Sequence, residues 1–225
     1  SEEILKQLPD NCVDLVFTSP PYNFGLAYDD QEDSHYWENY FDELFSAFKK
    51  QLEYFAAIKI RGNNVIERIF ANNLPVPFLS LLIEDCIAGG KDYNDGGARY
   101  NTTYIQGVGL GTITDMLSSI RFNIYDERKY TWKQLKAAMA SDFQGFDDLH
   151  YDLVYNSPKY GNDDDYADRH AQMVFEEFYN AVNGRATPRG GVHRINMLPT
   201  TSHVYFGSLI GATPDGRRAY VPLSE

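Results

Sequence analysis

Pro158-Lys159-Tyr160-Gly161-Asn162-Asp163-Asp164-Asp165-Tyr166-Ala167-Asp168 opens the stretch on which the reading of this chain turns. It continues through Pro188-Arg189-Gly190-Gly191 and Asn196-Met197-Leu198-Pro199-Thr200-Thr201-Ser202-His203-Val204-Tyr205-Phe206-Gly207. It closes on Gly211-Ala212-Thr213-Pro214-Asp215-Gly216-Arg217-Arg218. Asp163, Asp164 and Asp165 offer cap oxygens and negative charge to a helix start. Ala167, Ala171, Val174, Phe175, Phe178 and Val182 then recur at helical spacing, and Gly184 supplies a stop. Residues 195–206 are apolar and aromatic and read as a buried strand interrupted by Pro199. Thr213-Pro214-Asp215-Gly216 is a turn, because proline presets φ and glycine accepts a positive one.

These segments, in this order, resemble the glycyl radical enzymes of the pyruvate formate-lyase-like family. Upstream the resemblance extends through Pro75-Val76-Pro77-Phe78-Leu79-Ser80, Gly96-Gly97-Ala98-Arg99-Tyr100-Asn101 and Gln106-Gly107-Val108-Gly109-Leu110-Gly111-Thr112. It covers about residues 41–225 and is closest to the dehydratase and decarboxylase branches. The implied fold class is α/β, a helix-rich fragment of the family's α/β barrel. The implied reaction is radical cleavage of a C–O, C–N or C–C bond in a small polar metabolite.

The N-terminal residues resemble something else. Val13-Asp14-Leu15-Val16-Phe17-Thr18 reads as a strand that runs into Ser19-Pro20-Pro21-Tyr22, where paired prolines forbid further sheet pairing. The segment is similar to the target-base motif of amino-methylating DNA methyltransferases. That resemblance implies a short strand-loop-helix leader with the motif Ser19, Pro20, Pro21 and Tyr22, in which Ser19 and the Pro20 carbonyl accept from a flipped base's amine and Tyr22 stacks. S-adenosylmethionine is the cofactor of this alternative reading. Its glycine loop is missing, since Gly107-Val108-Gly109-Leu110-Gly111-Thr112 ends in Thr where a dinucleotide fingerprint has Gly. The two resemblances divide the chain into 1–45 and 46–225. They meet between Phe41 and Lys50 inside one amphipathic helix, without a flexible linker.

Elsewhere the apolar spacing predicts a helix over 33–70, with Gly62-Asn63-Asn64 as a break, and one helix over 78–88 ended by Gly89-Gly90. Further helices are expected over 112–125, 132–142 (capped by Thr131) and 147–155, with a glycine-rich loop over 91–101.

Composition narrows the partners. Thirty-two acidic against 20 basic residues give a net charge of −12, which opposes binding to nucleic acid or to anionic membranes. No apolar run approaches the roughly 20 residues of a membrane span. Two cysteines, Cys12 and Cys86, exclude a disulfide framework and point to a reducing, cytoplasmic setting. His35, His150, His170 and His193 have no metal-ligand spacing, and Asp163 to Asp165 lack a calcium loop's pattern, so no metal is expected.

The resemblance also implies what the intact enzyme carries: a C-terminal glycyl radical, a thiyl cysteine and a glutamate two residues after it. None of these matches a position here, and the chain is expected to bind no cofactor and to be inactive by itself. Cys86 sits in a helical face with no carboxylate two residues on, and Cys12-Val13-Asp14 mimics the spacing outside the family-like region. Implied partners are a small-molecule substrate, a radical S-adenosylmethionine activating enzyme with an iron–sulfur cluster, and a second subunit in a homodimer. Residues 198–204 resemble the strand that lines the substrate cavity. Thr200 and Thr201 there either bond a small polar substrate, with His203 beside them, or satisfy backbone groups around a core histidine. Arg217 and Arg218 either position a radical loop or are solvated turn residues.

Overall fold

The computed structural model describes residues 34–225, and side chains from Phe41 onward. The strand expected over 13–18, Ser19, Pro20, Pro21, Tyr22 and Cys12 lie outside the described residues.

Helix α1, Ser34–Asn73, runs unbroken for 40 residues. Phe41, Leu52, Ala56 and Ile60 are buried along one face, at three- to four-residue multiples that keep them on a single stripe. The break expected at Gly62-Asn63-Asn64 does not occur. A helical glycine costs only about 1 kcal/mol relative to alanine. Asn64 offsets this with tertiary bonds, from Nδ2 to the Ala186 carbonyl (3.3 Å) and between Oδ1 and His193 Nε2 (2.9 Å).

The helix expected over 78–88 is two short ones, α2 (Pro77–Ser80) and α3 (Glu84–Gly89). A polar hub draws the chain away from helix between them. The Asp92 carboxylate accepts the Val76 amide (3.0 Å) and lies 2.8 Å from Ser80 Oγ, which itself accepts the Tyr93 amide (2.9 Å). Burial alone would raise the Asp92 pKa, but these donors and the Asn94 amide hold it below the ordinary carboxylate range.

Strands β1 (Thr102–Gln106) and β2 (Val192–Asn196) pair in parallel, with Thr103 opposite His193 and Ile105 opposite Ile195. The long connection between them holds α4 (Leu110–Ile120), α5 (Trp132–Ala140), α6 (Asp147–Tyr151) and α7 (Asp165–Val182). Thr131 caps α5 in a reciprocal box with Gln134, and the Asp164 carboxylate caps α7 on the Tyr166 amide (2.9 Å). Wider π-helical turns, Arg121–Asp126 and Asp152–Asn156, finish α4 and α6.

Two apolar clusters meet along α1. Phe41 belongs to the first, with Leu117, Ile120, Leu135, Phe143 and Leu153. Leu52, Ala56 and Ile60 belong to the second, with Ile105 of β1 and Ala181 and Val182 of α7. Helices thus cover one face of the strand pair. On the other, Tyr104 is 58% exposed and Arg194 is open to solvent, although parallel sheets are normally covered on both faces.

The buried strand expected over 195–206 is corrected. β2 stops at Asn196, and α8 occupies Ser202–Leu209. Pro199 cannot donate to a ladder, and its carbonyl instead accepts the Ser202 amide (3.0 Å). Val204 and Tyr205 are consequently exposed on a helix.

Candidate functional site

Both parallel strands begin among glycines. The loop holding Gly96 and Asn101 lies backbone to backbone on Arg189-Gly190-Gly191. A Cβ on Gly191 would overlap the Asn101 carbonyl, so only glycine allows this approach. Arg189 joins the two segments to α1: its guanidinium donates to Thr103 Oγ1 (3.1 Å) and Glu67 Oε1 (3.3 Å), and Thr103 donates to the same Glu67 oxygen. His193 adjoins this cluster, fully buried. Burial lowers its pKa, and the Glu67 carboxylate only partly offsets that.

The opposite ends of the strands form the candidate site. In parallel α/β folds, the carboxyl ends of strands are where ligand-binding loops gather. β1 leads through Gly107 and Gly109 into α4, and β2 leads through Met197 and Pro199 into α8. The Gly107 amide donates to the Asn196 carbonyl (2.7 Å), holding the two exits together.

Thr200, Thr201 and His203 lie on the second exit. Both threonines are exposed, and His203 is half-buried. Thr200 has φ of 56°, a left-handed conformation that a β-branched residue adopts only under constraint. Its hydroxyl bonds the Pro199 carbonyl (2.6 Å). The Thr201 carbonyl accepts the Val204 amide in the first turn of α8. His203 Nδ1 is buried and has no hydrogen-bond partner among the described residues. The three residues therefore lie in the entry to α8, on a turn-helix rather than on a strand.

The other sequence-selected residues are placed elsewhere. Arg217 staples its own loop: Nε donates to Thr213 Oγ1 (3.2 Å), and its terminal nitrogens donate to the carbonyls of Val221 (2.6 Å) and Gly211 (2.5 Å). Arg218 donates to the Asp142 carbonyl (2.7 Å). Cys86 is buried in α3, where burial and the nearby Asp92 and Asp85 push its thiol up, away from the reactive thiolate. His150, His170 and His193 are in separate surroundings, and no group of three metal-ligating side chains occurs among the described residues. Ser224 and Glu225 lie against the Gly107–Thr112 loop, with the Glu225 carboxylate on the Gly109 amide (2.8 Å). Sequence reasoning missed this contact, because no local pattern links positions 116 residues apart.

The pyruvate formate lyase-like family model matches residues 24–207. The chain belongs to that family. It is 53% identical over 186 residues to trans-4-hydroxy-L-proline dehydratase of Clostridioides difficile, a match covering 82% of this chain and 23% of the relative. It is 36% identical to (2S)-3-sulfopropanediol dehydratase of Klebsiella oxytoca, covering 82% and 22%. The crystal structure of the C. difficile hydroxyproline dehydratase with trans-4-hydroxy-L-proline bound superposes with a TM-score of 0.80 at 52% identity, again over 82% and 23%. The glycerol-bound B12-independent glycerol dehydratase of Clostridium butyricum gives 0.77 at 40% identity, over 82% and 23%. The family member described here thus spans a little under a quarter of the length of these relatives, and its helix-rich α/β architecture is theirs.

Proposed function

We propose that these residues form one wall of a glycyl radical dehydratase that removes a hydroxyl group from a small polar metabolite. The observation that carries this reading is the 0.80 TM-score at 52% identity to a dehydratase with its hydroxylated substrate bound. In this reading Thr200 and Thr201 hold polar groups of the substrate, with His203 behind them. The constrained φ of Thr200 supports this reading, because strained backbone concentrates at functional turns; its hydroxyl rests meanwhile on the Pro199 carbonyl. The radical glycine, the thiyl cysteine and the base come from elsewhere in the complete enzyme, and this family member supplies binding and orientation. A radical S-adenosylmethionine activating enzyme and a homodimeric, cytoplasmic assembly complete the proposal.

The test is to exchange this segment for the matching stretch of the C. difficile enzyme, activate the chimera anaerobically and assay trans-4-hydroxy-L-proline and glycerol. Turnover of either, with KM raised about tenfold or more in T200A and T201A, is the expected result. A chimera that carries a glycyl radical signal yet turns over neither overturns the reading. So does unchanged KM in both variants.

A further inference from the structure

Residues 221–225 touch two helices that meet nowhere near one another in sequence. At α8, the Leu223 amide donates to the His203 carbonyl (3.1 Å), and the backbone of Pro222 crosses directly over Gly207. A Cβ on Gly207 would fall 2.6 Å from Pro222 Cα and into the Val221 carbonyl, so the crossing requires glycine there. At α4, whose N-cap is Gly109 and which has no side-chain cap of its own, the same segment supplies one. Glu225 Oε1 accepts the Gly109 amide (2.8 Å) and the Ser224 carbonyl accepts the Thr112 amide (3.2 Å). The Ser224 amide in turn donates to Thr112 Oγ1 (2.8 Å). A carboxylate on the unpaired amides of a helix start satisfies donors and meets the positive end of the helix dipole.

We propose that residues 221–225 are a strap that couples the first turn of α4 to α8, with Glu225 as its positioning residue. The two turns continue from the carboxyl ends of β1 and β2, so the strap fixes the geometry of the candidate site from behind. Because the His203 carbonyl accepts the strap's Leu223 amide, the position of its ring is set jointly by α8 and by the hold of Glu225 on α4. Coupling of this kind is reciprocal: loosening either end loosens the other. It holds whatever ligand Thr200 and Thr201 take, so it does not depend on the dehydratase reading.

The test is amide hydrogen exchange, read peptide by peptide on the whole chain at high dilution. In E225A, exchange should rise about fivefold both over 109–113 and over 203–207. E225Q keeps an acceptor oxygen for the Gly109 amide and should restore most of the protection in both segments. G207A is the second arm. Alanine favours helix over glycine, so α8 persists, but the added methyl expels Pro222. Exchange should then rise at 109–113, on the far side of the strap. A response confined to the mutated end in E225A and in G207A overturns the coupling. Failure of E225Q to rescue overturns the assignment to Glu225.

Discussion

Asn64 of α1 and His193 of β2 share a hydrogen bond of 2.9 Å that pins the strand pair to the middle of the long helix. The bond is the sole partner of the His193 ring among the described residues, because Nδ1 has none. N64A leaves a fully buried imidazole wholly unpaired, and a stranded buried polar group costs about 1–3 kcal/mol. Urea unfolding should show a loss of that size, whereas N63A, which removes no bond of this kind, should stay within about 0.5 kcal/mol.

Acid should weaken the fold through His170 and His193. Burial lowers both pKa values, with Arg121 and Arg169 adding to the effect at His170. A histidine held neutral in the folded state binds its proton more readily once unfolded. Its contribution is therefore fully present above the unfolded pKa of about 6.5 and is lost as pH falls below it. The urea midpoint should decline between about pH 7 and pH 5, and H170Q combined with H193Q should flatten that decline. Equal slopes in variant and parent would assign the acid sensitivity to other groups.

Asp152 is buried where the second π-helical turn begins, and Lys129, Tyr130 and Asn156 all donate to it. Burial opposes its charge, yet these donors hold its carboxyl below the ordinary range, while burial and the Asp152 carboxylate push the Tyr130 phenol up. The stabilisation is present above about pH 4, the unfolded value, and disappears as pH falls through the lower folded one. D152A removes the acceptor that these three donors share and should cost about 2–3 kcal/mol at neutral pH. D152N keeps part of the network and should cost less.

Phe78, Leu81 and Leu82 are 78%, 67% and 70% exposed, next to the apolar end of α1 where Ile69 and Phe70 are also open. Soluble monomers rarely leave so many large apolar side chains together in water. The isolated chain should self-associate in sedimentation velocity over a dilution series. F78E combined with L81E and L82E should raise the monomer fraction if this patch is the contact, and leave it unchanged if the contact lies at the open strand edges.

Local chemistry made much of the fold readable. Thr131 and Asp164 were legible as caps because capping depends on a few adjacent residues, and α7 because its apolar spacing extends over five turns. Long-range bonds decided the elements that were misread. Asn64 keeps α1 intact through His193, and Asp92 divides α2 from α3 through Ser80. The aromatic run over 204–206 looked like buried strand because hydrophobicity says nothing of which surface will cover it. At the candidate site, Thr200, Thr201 and His203 were picked out by resemblance, and the structure places them in the turn that enters a helix rather than on a strand. The hold of Glu225 on Gly109 had no signature in either segment.

The length of α1 carries a mechanical consequence. Forty residues at 1.5 Å each make a rod of about 60 Å. A compact chain of 225 residues has a radius of gyration of about 17 Å, hence a diameter of about 45 Å. The rod outreaches such a body by about three turns of helix, and its last turns carry Ile66, Ile69 and Phe70, each partly bare. Those last turns are held by the chain that follows, with Asn94 Nδ2 on the Leu74 carbonyl (2.7 Å), so the helix is tied to the body along its length. Asn64 and Glu67 are its anchors on the sheet, so a shift of this rod is felt first at His193 and Arg189.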